Sequence, residues 1–158
     1  HRRLRLPGYD YGWPGAYLVS ACTAGRSPLL GRIVRGVIQL SPAGEVVAEE
    51  WWRAAVVRPN VVLDAFVVMP DHIHGIVWLR AHDDERGVAP PATIPTLMQQ
   101  FKSISSKRIN ALWGTSGAPL WQRGYHDRII PDERALEVIR RYVIENPRNW
   151  NPRLNPAP

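Results

Sequence analysis

Apolar side chains recur along this chain at two spacings, and the switches between them mark its elements. "GAYLVSACTA" (15–24) has the β-branched and aromatic content of a strand, and "LLGRIVRGVIQLSP" (29–42) reads as a strand pair or one long bent strand. At Ser41 the pattern turns helical: "SPAGEVVAEEWWRAAVV" offers serine as a cap, proline just inside it and acids in the early turns. "VVLDAFVVM" (61–69) is a strand, "PD" at 70 and 71 is a turn or bulge signal, and "HIHGIVWLR" is the strand that follows, so the two form a central hairpin. After a mixed Gly, Pro and charged loop at 80–95, apolar residues recur at Ile94, Leu97, Met98, Phe101, Ile104, Ile109 and Leu112, nearer to helical spacing than to a strand's. The extended "LWQRGYHDRII" then leads to a last helix, "DERALEVIRRYVIENP", whose start is marked by Pro131 and Asp132 and which Pro147 stops. Helices among hairpin-joined strands predict an α+β fold, an antiparallel sheet with helices packed on one face.

Length and composition narrow the class. At 158 residues the chain is one domain spanning 1–158, with 80–95 an exposed loop and 151–158 a tail. A content of 45% hydrophobic and 22% charged residues is that of a globular protein and excludes wholesale disorder. No apolar run nears the roughly 20 residues of a bilayer span, and "HRRLRLPGYD" lacks a signal-peptide core, so a cytoplasmic protein with no membrane partner is expected. The single cysteine, Cys22, rules out a disulfide framework and a multi-cysteine zinc ribbon. Twenty Lys and Arg against fourteen Asp and Glu, net +6, favour a polyanionic partner, nucleic acid first.

The residues that point to chemistry lie in "PDHIHGIVWL". In a strand, His72, His74, Ile76 and Trp78 share one side, and the two imidazoles stand about 7 Å apart, close enough to converge on one cation. The competing reading is a pair of hydrogen-bonded histidines at a sheet edge. On the last helix, Ala135, Val138, Ile139, Tyr142, Val143 and Asn146 follow the spacing of one core-facing stripe, which places a phenol and a carboxamide on the inward side. Two histidines, an asparagine and a tyrosine together compose a metal site beside a hydroxyl.

"VVMPDHIHGIVWL", "QQFKSISSKRIN", "PLWQRGYHDRII" and "ERALEVIRRYVIENPRNW" resemble successive blocks of the single-tyrosine HUH transposases, specifically the REP-associated tyrosine transposases close to the IS200/IS605 transposases. The resemblance runs from "LRLPGYDYGWPGAYLVSACT" to Trp150. It implies a ferredoxin-like domain that cuts and rejoins single-stranded DNA next to a hairpin. By position, Tyr142 matches the nucleophile, His72 and His74 the metal ligands and Asn146 the third ligand; Tyr125 is the competing tyrosine. Pro131 departs from the pattern, which has arginine there.

The chemistry suits these residue types. A phenol ordinarily ionises near pH ~10, so a site must stabilise its anion and the charge on the attacked phosphate. Two neutral imidazoles and an amide would leave a divalent ion its full charge and open positions for phosphate oxygens, which favours Mg2+ or Mn2+. Attack by Tyr142 would give a 5′-phosphotyrosine and a free 3′-hydroxyl. Lys102, Lys107, Arg108, Arg123, Arg140, Arg141 and Arg148, with Arg2, Arg3 and Arg5 as a basic arm, are the expected DNA contacts, and Trp113, Trp121 and Trp150 offer stacking planes. Asp71 and His126 are candidate general bases by proximity in sequence. The protein would act as monomer or homodimer. The rivals are a non-catalytic, domesticated nucleic-acid-binding protein and a metallohydrolase with a His-X-His strand, whose (β/α)8 barrel of about 250 residues is too long for this chain.

Overall fold

The computed structural model describes residues 6–81 and 91–151. Arg2, Arg3 and Arg5, residues 82–90 of the expected loop and residues 152–158 lie outside the described residues.

The chain runs β1 (Gly15–Cys22), β2 (Gly31–Val34), β3 (Val37–Leu40), α1 (Pro42–Val56), β4 (Val61–Val68), β5 (His72–Leu79), α2 (Ile94–Trp113), β6 (His126–Ile130) and α3 (Glu133–Glu145). Local chemistry sets the helix ends. Ser41 accepts from the Gly44 N–H at 3.1 Å with Pro42 inside it, Thr93 and Thr96 form a reciprocal capping box, and Asp132 accepts from the Ala135 N–H at 2.8 Å. Asp132 caps α3 even with Pro131 in front of it, so the departure from the family pattern leaves the helix start intact.

The main sheet has the order β4-β5-β1-β6, and each neighbouring pair is antiparallel. With α1 between β1 and β4 and α2 between β5 and β6, the unit is a βαββαβ, ferredoxin-like arrangement, as expected. β2 and β3 form a separate hairpin, resolving 29–42 as a strand pair. Arg35 and Gly36 turn it with φ of 52° and 75°, the backbone of a type I′ turn. A side chain in that left-handed region costs roughly 1–2 kcal/mol.

Alternation along the strands divides the sheet into two faces with separate cores. Tyr17, Val19, Ile73 and Val77 pack with Val47 and Trp51 of α1 and Leu97, Met98 and Phe101 of α2. On the other face Ala16, Val67, Met69, Ile76 and Ile130 pack with Leu136, Ile139 and Val143 of α3. The two helices of the βαββαβ unit thus share one face as expected, and α3, added after that unit, covers the other. Two stripes differ from their sequence reading. On α2, Ile104 and Leu112 are exposed, and the stripe instead includes Ser105, whose hydroxyl donates to the Phe101 carbonyl and accepts from Trp121 Nε1. On α3, Val138 is 65% exposed and the buried line is Leu136, Ile139, Val143, so Tyr142 lies on the flank of the stripe. Both readings chose apolar character where the helix geometry required a position.

Gly75 fits β5 against α1. A Cβ there would lie 2.3 Å from Trp51 Cζ2, inside any real contact distance. Gly75→Ala is expected to destabilise the fold by about 1–3 kcal/mol, lowering the unfolding midpoint by roughly 3–10 °C in a thermal melt.

Candidate active site

The turn at 70–71 delivers β5 with His72 and His74 on the face that α3 covers. Their rings stand 4.7 Å apart between centroids. His74 lies opposite Ser20 on β1, and Ser20 Oγ is 2.5 Å from His74 Nδ1. His72 Nδ1 donates to Asp71 Oδ1 at 2.6 Å, and Arg26 Nε donates to the other carboxylate oxygen at 3.0 Å. Each imidazole is therefore held through Nδ1, leaving Nε2 as the open atom. Burial foremost, with the electrostatic influence of neighbouring His72 and Arg26, pushes the His74 pKa down to about 3, so this ring is neutral at pH 7. Burial would raise the Asp71 pKa, but the His72 hydrogen bond and the Arg26 charge outweigh it and hold the carboxyl below its usual range.

α3 brings Tyr142 to this face. Its hydroxyl approaches His74 Nε2 at 3.5 Å, and the rings are 5.3 Å apart. The tyrosine is 51% exposed, so its ring is open to solvent. Asn146 caps α3 one turn later and is half-buried, its amide donating to the Tyr142 carbonyl at 3.5 Å. Trp150 follows, its ring 6.1 Å from that of His72.

A clamp fixes the helix. The register of β4 shifts between Leu63 and Phe66, and within this bulge Asp64 reaches the α3 face. Asp64 takes a bidentate pair from Arg140 and accepts from Trp78 Nε1 at 3.0 Å. Hydrogen bonding from Arg140, against the opposing effect of burial, pulls its pKa down to about 2. Because that value lies below the unfolded carboxylate's, the pair stabilises the fold above about pH 4, and its contribution is lost as the pH falls towards 2. Asp64→Asn is expected to lower stability at pH 7 by about 1–3 kcal/mol and to flatten the pH dependence in that window, read by urea unfolding at several pH values.

The other expected residues divide by partner. Arg108 is paired with Glu49 and Glu50 of α1. Lys102 donates to the Gln122 and Gly124 carbonyls, bracing the segment before β6. With Arg140 on Asp64, these three act within the fold, and Lys107, Arg123, Arg141 and Arg148 remain exposed. Trp121 is buried, whereas Trp113 is exposed. Tyr125 packs against the α1 and α2 side of the molecule, away from the histidine face. Of the two general-base candidates, Asp71 is engaged in orienting His72, while His126 is exposed on β6 in register with Ser20. Sequence reading missed Ser20 and Arg26 altogether; the signal available for Ser20 was a polar residue inside an otherwise apolar strand.

The model of the family described as "Transposase IS200 like" matches residues 45–146. The chain belongs to the IS200-like transposase family. The matched span includes His72, His74 and Tyr142 and ends on Asn146. A protein of Haemophilus influenzae described as uncharacterized is 30% identical over 169 residues, covering 95% of this chain and 90% of the relative. The solved structure of a REP-associated tyrosine transposase bound to a REP hairpin superposes with a TM-score of 0.62 at 18% identity, over 96% of this chain and 76% of that one. That likeness is one of fold. No helix among the described residues is long and apolar enough to cross a membrane.

Proposed function

We propose that this IS200-like transposase is a divalent-metal-dependent single-stranded DNA endonuclease and strand transferase. The observation that carries the reading is the approach of Tyr142 Oη to His74 Nε2, 3.5 Å, beside two histidines whose Nδ1 atoms are already engaged. Nε2 of His72 and His74 with the Asn146 side-chain oxygen would hold Mg2+ or Mn2+, which when bound supplies Lewis-acid polarisation and orientation of the phosphate. The donor set fits such an ion. Asn146 would add a hard, neutral oxygen to the two imidazoles and leave the ion's other positions to water and phosphate oxygens. The long Asn146 bond to the Tyr142 carbonyl yields readily to a stronger partner.

The chain's own residues account for the transfer. The Tyr142 phenol loses its proton to the solvent that reaches it, and its oxygen attacks phosphorus. The O–P bond forms as the P–O3′ bond breaks, and the departing oxygen is protonated to a free 3′-hydroxyl. The product is a 5′-phosphotyrosine. Attack by a 3′-hydroxyl reverses the step and rejoins DNA without ATP, since the phosphodiester is conserved. Trp150 offers a plane for an unpaired base beside His72. A hairpin of palindromic repeat DNA with a single-stranded flank is the substrate we assign, supported by the hairpin held in the similar solved structure.

The test is incubation with end-labelled hairpin oligonucleotides, including repeats that flank the gene, in Mn2+. A labelled band that survives denaturing electrophoresis is expected. Binding without any such adduct on every oligonucleotide would reduce the protein to a DNA-binding module.

A further inference from the structure

Among the described residues two arginines sit in left-handed backbone, and only one of them is explained within the fold. Arg26, φ 54°, places its guanidinium on Asp71 and so supports His72. Arg35, φ 52°, occupies the first central position of the type I′ turn between β2 and β3, where Asn, Asp or Gly is the favoured residue. Among the described residues Arg35 has no hydrogen-bond or ion-pair partner. A long charged side chain thus stands against the preference of its own turn with no hydrogen bond or ion pair among the described residues in return.

Its position relates it to the active face. Ile33 of β2 packs against the core beneath α3. At the tip, a Cβ on Gly36 would lie 3.5 Å from Arg148 Cα, so the turn abuts the segment just beyond α3. Two residues past Arg148, Trp150 is the ring that lies beside His72. Arg35 and Arg148 are both exposed where the turn abuts the segment that leads to Trp150, and Arg141, next to Tyr142 in the sequence of α3, is exposed as well.

We propose that the β2–β3 turn is a DNA-docking element in which Arg35, seconded by Arg148, binds the phosphodiester backbone next to the cleavage point. The proposal rests on the DNA-cleaving reading above and extends it to a part of the chain outside the family match, which begins at Glu45. The chemistry is that of a guanidinium on phosphate, a contact that carries no base information and positions the strand. The phosphates come either from the paired stem of a hairpin or from its single-stranded flank.

Arg35→Gly is the informative variant, because glycine suits the turn better than arginine and the fold is expected to be as stable or more so. Anisotropy titrations across 50–200 mM salt would use a hairpin with a single-stranded flank, and the flank alone. Arg35→Gly is expected to weaken binding roughly 3- to 10-fold and to reduce the slope of log K against log salt by about 1, with Arg35→Lys between it and the parent. Loss confined to the hairpin probe assigns the contact to the stem; equal loss on both assigns it to the flank. Unchanged affinity and slope on both probes, with adduct formation through Tyr142 intact, would overturn the docking role and leave the cleavage reading standing. A parent protein that bound neither probe would remove both.

Discussion

Tyr142→Phe is expected to abolish covalent attachment to DNA, by at least about 10^4-fold, while affinity for the same oligonucleotide stays within about twofold. The substitution removes the one atom that would bond to phosphorus. Little else depends on that atom: the tyrosine is half-exposed and, among the described residues, its hydroxyl makes only the long 3.5 Å contact to His74, so the fold loses less than about 0.5 kcal/mol. Denaturing electrophoresis of end-labelled product reads the first quantity and anisotropy the second. Tyr125→Phe serves as the control, since that ring packs on the α1 and α2 side of the sheet and should leave the adduct yield unaltered. Loss of the adduct in Tyr125→Phe and its survival in Tyr142→Phe would reverse the assignment of the nucleophile.

Removal of the proposed divalent ion is the second large effect expected. Chelation with EDTA is expected to lower adduct formation by at least about 10^3-fold, with recovery on adding excess Mg2+ or Mn2+. His74→Ala should reproduce the loss without recovery. Chelation matters as a companion to mutation, because the histidines also belong to the structure: His72 is 8% exposed and bonded to Asp71, so its replacement leaves one oxygen of that buried carboxylate without its partner while Arg26 keeps the other. A binding-competent protein whose adduct yield ignores EDTA would remove the metal from the mechanism.

Much of this was legible along the chain. The strands at 61–68 and 72–79 follow from β-branched runs broken by Pro70 and Asp71, and the ends of α1 and α3 follow from Ser41 and Asp132, whose side chains satisfy the first free N–H groups. These are local effects, settled within a few residues. The pairing of His72 with His74 is equally local, because a period of two leaves no other arrangement for a strand.

Site details between distant segments were not legible in that way. Helical spacing puts Tyr142 in the buried stripe, yet the stripe is Leu136, Ile139 and Val143, and the tyrosine stands at its edge where solvent reaches it. Charge alone points several basic residues at DNA, and the structure shows Arg108 and Arg140 paired with carboxylates of α1 and β4. A lone arginine reads the same in sequence whether its partner is a phosphate or an aspartate 76 residues away.

The sequence by itself determined the elements, their order and the identities of His72, His74, Tyr142 and Asn146, because capping, strand alternation and motif spacing act over short distances or are read as residue types. The tertiary structure alone decided that α3 covers the face opposite α1 and α2, that Ser20 and Asp71 hold the two imidazoles, and that a bulge at Asp64 clamps the helix bearing the tyrosine. Those facts depend on which face of a sheet a distant segment buries and on which polar groups then meet there, choices settled by packing the whole chain at once.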